Sequence, residues 1–172
     1  MSLDWFNDVL EFNKKLRPDR KFVIDPKLID SDEACLTHRL VAEEYDELME
    51  AWSEQDLTAM TDAAADLIVV VLGMMAFYGV DMRPVWEAIH AANMNKCRPC
   101  PICNGEKVRT GVLTDGTIKT VECRACKGQG IVIVYNDEGK IMKPEGWKHP
   151  DIGAILKAQN EAFKNGETKT DI

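Results

Sequence analysis

The sequence predicts a mainly α fold: a four-helix bundle, a small β-hairpin zinc-ribbon insert, and a C-terminal helix. Three observations carry that expectation. Apolar residues recur at helical spacing through four successive segments up to residue 96. At Cys97 the texture changes to a stretch rich in glycine, threonine and valine that holds two cysteine pairs. Helical spacing returns over 151–163. The organisation that follows is a helical core over 1–96, the insert over 97–135, and a tail over 136–172 that completes the core. With 172 residues and 45% hydrophobic content, the chain has material for one real core carrying a small insert.

The first helix is expected over 4–16, with Trp5, Val9, Phe12 and Leu16 on its inner face, Phe6 beside them and Asp4 as N-cap. Pro18 and Pro26 mark a connector. "DSDE" at 30–33 then opens a second helix, with Asp30 and Glu33 at capping-box spacing. That helix should run over 32–54 and turn Leu36, Leu40 or Val41, Tyr45, Leu48 and Trp52 inward. A third should run from near Asp56 to Gly79, a residue suited to a left-handed cap. Asp81 and Pro84 open the fourth, since proline is tolerated in a first turn. Short connections between four helices argue for an antiparallel bundle. The third helix is apolar nearly all round, so it should be buried on several sides and pack against another subunit.

The acids are unevenly placed. From Asp30 to Asp66 there are twelve carboxylates against one base, Arg39, and such a block repels anionic substrates unless divalent cations intervene. Glu44 and Glu47 stand three apart on the second helix, with Glu43 and Glu47 four apart; Asp62 and Asp66 stand four apart on the third. If the two helices are antiparallel neighbours, these carboxylates converge. Uncompensated, they would repel one another, and hard cations such as Mg²⁺ or Mn²⁺ remove that conflict with carboxylate and water ligands. Most acids of "VAEEYDELMEAW" read as a solvated face. Asp66, among alanines and just ahead of Leu67–Val71, reads as buried and therefore as paired, hydrogen-bonded or metal-bound.

"EEYDEL", "DAAADLIVVVLGMMAFYGVD" and "VWEAIHAANMNK", in that order and spacing, resemble the all-α nucleoside triphosphate pyrophosphohydrolases. These are the MazG-like proteins, including phosphoribosyl-ATP pyrophosphohydrolase. The resemblance covers residues 31–96 and resumes at "DEGKIMKPEGWKHPDIGAIL". It implies cleavage between the α and β phosphates to a monophosphate and diphosphate, with two or more Mg²⁺ or Mn²⁺ ions per site. It puts the family's EXXE motif on Glu44 and Glu47 and its second-helix aspartate on Asp66. The glutamate often found three residues before that aspartate is Ala63 here, so Asp62 becomes the candidate fourth ligand. Glu43 becomes the candidate base for the attacking water. Asn93 and Lys96 of "NMNK", with Lys140 and Lys143 of the tail, become candidate donors to the substrate. Trp5, Phe6, Asn13 and Trp86 could face a nucleobase, although helical spacing makes core packing their better default. The resemblance also implies a homodimer or homotetramer.

Cys100-X-X-Cys103 and Cys123-X-X-Cys126 have the spacing of a tetrahedral zinc site, and four thiolates close its shell, so the metal should be structural. "CRACKGQG" resembles half of the cysteine-rich region of DnaJ-type chaperones, which implies zinc binding and not chaperone activity. Cys97 reads as a bystander and Cys35 as a buried thiol. Thiols in a chain with no evident export signal suggest a cytoplasmic protein. The net charge of −8 argues against nucleic acid or a membrane as the partner. The alternative function is a zinc-ribbon module that binds nucleic acid or protein, with the bundle serving only to oligomerise it.

Overall fold

The computed structural model describes residues 4–167. Among these it carries helices α1 Trp5–Leu16, α2 Asp32–Glu54, α3 Leu57–Phe77, α4 Met82–Met94 and α5 Ile152–Lys164. Four short strands lie between α4 and α5: β1 Arg98–Pro99, β2 Val108–Val112, β3 Ile118–Glu122 and β4 Ile131–Val132. The fold is therefore mainly helical with small antiparallel hairpins, as the sequence predicts. The chain divides into two compact units, one of Met1–Trp86 with Asp151–Ile172 and one of Glu87–Pro150, the boundary falling inside α4.

In the first unit, side-chain caps start the helices. Asp4, Ser31, Asp56 and Asp151 accept hydrogen bonds from backbone N–H groups in the opening turns of α1, α2, α3 and α5. At α2 the cap is Ser31, not Asp30. Glu33 is instead drawn away into ion pairs with Arg17 and Arg20. Only Gln55 and Asp56 join α2 to α3. Gln55 takes a left-handed φ of 58°, and Asp56 N–H reaches back to Ala51 O at 3.0 Å, which folds the pair into a tight antiparallel hairpin. At the far end of α3, Gly79 N–H bonds Ala76 O and Val80 N–H bonds Met75 O, the Schellman pattern. Gly79 has φ +72°, and a β-carbon there would stand 2.6 Å from Asp25 O, so only glycine closes this end.

The core has two centres. Phe6, Leu10, Phe22 and Ala76 form one, with Leu72 and Met82 against them. Ala34, Phe77 and Tyr78 form the other, with Ile29, Met74, Met75 and Val80. Gln159 of α5 clamps the start of α4, accepting from Asp81 N–H at 3.1 Å and donating to Asp81 O at 2.9 Å.

Two helix faces differ from expectation. On α1 the buried residues are Phe6, Val9, Leu10 and Asn13, while Trp5 and Phe12 are half exposed and Leu16 is exposed. Asn13 belongs to the inner face because its amide is hydrogen-bonded there. It donates to Val9 O at 2.9 Å, accepts from Arg17 at 2.7 Å, and packs on Gly73, where the missing side chain leaves room. On α2 the inward seam is Ala34, Thr37, Val41, Glu44, Leu48 and Ala51, whereas Leu36, Tyr45 and Trp52 face outward. The buried seam positions are the small residues Ala34, Thr37 and Ala51, and the large aromatics are left outside. Cys35, on the outward side of this seam, is exposed, not buried.

In the second unit, β2 and β3 pair antiparallel around a turn at 113–117, with Thr110 opposite Thr120. Every residue of both strands is exposed, so this hairpin has no apolar core of its own. β1 pairs with β4 through Arg98↔Val132 and Pro99↔Ile131. β4, at the start of "IVIVY", is only two residues long, and Tyr135 bridges to Ile141 around the Asn136–Gly139 turn.

Candidate functional site

The antiparallel α2–α3 hairpin sets the carboxylates. Glu44 occupies an inward position on α2, one turn from Val41 and one from Leu48, and is half-buried. Glu43 and Glu47 flank it on the exposed side. Asp62 and Asp66 lie about as far beyond the turn on α3 as Glu47 and Glu44 lie before it. The Glu44 carboxyl is raised above its ordinary value, first by burial and then by repulsion from Glu47, Asp66, Glu43 and Asp62. Five sequence-selected carboxylates thus share one field. Among the described residues their oxygens do not converge into a tight ligand cluster, since the only such group of three or more within 4.8 Å is made of cysteines.

Asp66 differs from its expectation: it is exposed, as is Asp62. The reason is local. Ala63, Ala64 and Ala65 are too short to cover a neighbouring carboxylate. The α1 residues Phe6, Leu10 and Asn13 pack on α3 around Leu72, Gly73 and Ala76, beyond the aspartates. A half-buried acid facing four others is a site of surplus negative charge. Its chemistry fits Mg²⁺ or Mn²⁺, whose charge and oxygen preference offset that repulsion.

The four cysteines form a second centre. Cys100 and Cys123 are fully buried and Cys103 and Cys126 nearly so, with all four sulfurs within 4.8 Å of one another. Cys100 and Cys123 Sγ are 3.9 Å apart, and Cys103 and Cys126 Sγ 3.7 Å. Zn–S bonds of about 2.3 Å at tetrahedral angles place neighbouring sulfurs about 3.8 Å apart, whereas a disulfide holds them at about 2.05 Å. The spacing excludes a disulfide and is compatible with a tetrahedral zinc shell.

Each cysteine pair ends in a left-handed turn, Asn104–Gly105 after one and Lys127–Gly128 after the other. Gly130 N–H then donates to Cys126 Sγ at 3.3 Å. The Cys123 thiol is drawn down to about 7, chiefly by the Cys126 backbone N–H, while burial pushes Cys103 up to about 11. A zinc ion held by these cysteines would remove that asymmetry by keeping all four as thiolates.

Of the candidate substrate donors, Asn93, Lys96 and Lys143 gather around Trp147. Lys96 Nζ donates to Asn93 Oδ1 at 2.8 Å and lies 5.8 Å from the Trp147 ring centre; Lys143 Nζ lies 4.7 Å from it. Lys140 is not brought to this group by any described contact. It is exposed beside the Asn136 turn, where its N–H donates to Asn136 Oδ1. Trp147 escaped the sequence reading, although a tryptophan amid lysines in a proline-bounded loop was a usable signal. Of the residues considered for a nucleobase, Phe6 is core and Asn13 is buried and bonded to Val9 O and Arg17, which leaves the exposed Trp5 and Trp86.

No curated protein matches this chain. The family model described as phosphoribosyl-ATP pyrophosphohydrolase matches residues 5–93, a stretch that takes in α1, the α2–α3 hairpin with all five carboxylates, and most of α4. The chain therefore belongs to the phosphoribosyl-ATP pyrophosphohydrolase family, within the MazG-like all-α nucleoside triphosphate pyrophosphohydrolases.

Proposed function

We propose that this protein hydrolyses a nucleoside triphosphate, ribo- or deoxyribo-, between its α and β phosphates, releasing a monophosphate and diphosphate. Family membership supports a nucleotide pyrophosphohydrolase in general. The observation that carries the reading further is the antiparallel α2–α3 hairpin, which sets Glu44 in one field with Glu47, Asp66, Glu43 and Asp62. Glu44, Glu47, Asp62 and Asp66 would hold two or more Mg²⁺ or Mn²⁺ ions. Bound there, the ions supply charge neutralisation for the phosphates and a lowered pKa for a water. The residues do the rest. Glu44, Glu47, Asp62 and Asp66 would fix the positions of those ions, Glu43 would take the proton from the attacking water, and Asn93, Lys96, Lys140 and Lys143 would donate to phosphate or sugar.

The four cysteines hold one structural zinc in this reading, which stiffens the insert without touching the chemistry. The working form is a homodimer or homotetramer in the cytoplasm, where reducing conditions keep the thiols available. α3 is apolar and long enough for a membrane span by composition, and only 22% of that window is buried in the single chain. Asp62 and Asp66 within it favour a protein partner over lipid as its cover. The exposed hairpin, with Val112 and Ile118 each about 70% accessible, keeps a second reading in view, a ribbon that binds nucleic acid or protein. Binding that falls steeply with salt would favour nucleic acid.

Glu44→Gln and Asp66→Asn test the enzyme reading. Each is expected to lower turnover by more than the roughly 10–100-fold that losing an outer-shell metal partner costs, with an unchanged circular dichroism spectrum. Full activity in either variant would overturn it.

A further inference from the structure

The turn between α2 and α3 carries an open cleft of about 560 Å³ lined by Trp52, Ser53, Gln55, Leu57 and Met60. Its apolar walls face solvent, with Leu57 75% and Trp52 62% accessible. The rim is acidic: Glu50, Glu54 and Asp56 are exposed and enter no ion pair among the described residues. No lysine, arginine or histidine occurs between Arg39 and Arg83, so nothing on these two helices near the turn offsets that charge.

The β2–β3 hairpin has the complementary composition. At its tip Val112 stands across from Ile118, and Leu113 opens the turn. Val112 is 72% accessible, Ile118 70% and Leu113 48%. Leu113 N–H bonds Thr117 O at 2.8 Å, Gly116 N–H bonds Leu113 O at 2.9 Å, and Thr117 N–H bonds Asp115 Oδ1 at 2.9 Å. The apolar tip is thus presented in a preformed shape. Strand alternation puts Arg109 and Lys119 together on the opposite face. Neither enters an ion pair among the described residues, so two like charges sit diagonally across the strands without compensation.

We infer that the tip of this hairpin docks in the α2–α3 turn cleft of a second copy of the chain. Val112, Leu113 and Ile118 lose water against Leu57 and Trp52, the kind of exposed tryptophan that anchors interfaces. Arg109 and Lys119 meet the acids of the rim, which fixes the orientation of the finger in the cleft. A nucleic acid would answer the two cations but leave the aliphatic tip bare, and the hairpin offers no aromatic ring on which a base could stack. The contact joins two different patches, so it closes when two copies exchange fingers reciprocally or when several do so around a ring. The inference rests on the assembly in the proposed function and not on its reaction.

The test is photo-crosslinking of zinc-loaded full-length protein carrying p-benzoylphenylalanine in place of Ile118, beside light scattering of the parent. Irradiation should give a product of twice the chain mass, with the crosslink mapped by peptide mass to residues 49–60. Leu57→Glu in the same background should cut that yield about tenfold or more, with an unchanged circular dichroism spectrum, because Leu57 is already exposed. Lys119→Glu should lower it as well, and raising the salt should weaken it in the parent. A crosslink within one chain, a crosslink to any other region, equal yield in Leu57→Glu, or displacement of the crosslink by a single-stranded oligonucleotide would each overturn the contact. A monomeric parent would overturn the contact and the proposed assembly together. An oligomeric parent whose crosslinks map elsewhere would overturn the contact alone.

Discussion

A carboxylate set between Val41 and Leu48 and facing four others works against folding when it ionises. Glu44 is raised in the folded chain, first by burial and then by Glu47, Asp66, Glu43 and Asp62, so the folded state holds its proton more tightly than the unfolded state does. Its favourable contribution is complete below the ordinary carboxylate range and is lost as pH rises through the raised value. Glu44→Gln, which cannot ionise, should therefore melt above the parent at pH 7 without divalent metal, the gap closing towards about pH 4. Adding Mg²⁺ should raise the parent's melting temperature more than the variant's. Melting curves across pH check this, and a metal-free variant that melts below the parent at neutral pH would contradict it. That Glu44 shares a field with Asp62 and Asp66 was legible because three- and four-residue spacing puts side chains on one helix face. The exposure of Asp66 was not. An apolar run shows that a helix can be buried, but which stretch α1 covers depends on where Phe6 and Asn13 meet Leu72 and Gly73.

Elements were most legible where chemistry marks their ends. Asp4, Asp56, Gly79 and Asp151 placed the helix limits because caps and left-handed turns leave local signals. The inner faces of α1 and α2 were less legible, since Trp5, Phe12, Tyr45 and Trp52 are apolar yet lie outside the single-chain core. In the insert, cysteine spacing disclosed the sulfur cluster, while the two-residue length of β4 depends on pairing with β1, which no local pattern records. The β2–β3 hairpin is exposed along its whole length, and an isolated two-stranded hairpin is marginal in water. Its order should therefore depend on the thiol centre. Chelation is expected to release one zinc per chain and to abolish amide-exchange protection over 108–122 while most helical ellipticity remains. Cys123→Ser should do the same without chelator. Protection that survives zinc loss would show that the hairpin needs no metal.

For the whole molecule, α3 leaves much apolar surface uncovered: Ile68 is 41% accessible, and Leu57 and Trp52, near the α2–α3 turn, are 75% and 62%. Under the proposed function this surface would be covered by another copy of the chain. Light scattering coupled to size exclusion should give a dimer or tetramer, and Ile68→Glu should shift it towards monomer; a monomeric parent would remove the assembly from the account. The helical order and the carboxylate pattern were enough to place the chain in its family, because they occupy the contiguous 5–93 stretch. The nucleobase was not legible, since stacking residues carry no base-specific spacing. The central claim is the reaction itself, and product analysis tests it most directly. Purified, folded, zinc-loaded protein would be incubated with each ribo- and deoxyribonucleoside triphosphate, with Mg²⁺ and then Mn²⁺. The account predicts monophosphate and diphosphate in equal amounts from one or a few bases. Release of orthophosphate with a nucleoside diphosphate, or no turnover of any of them, would contradict it.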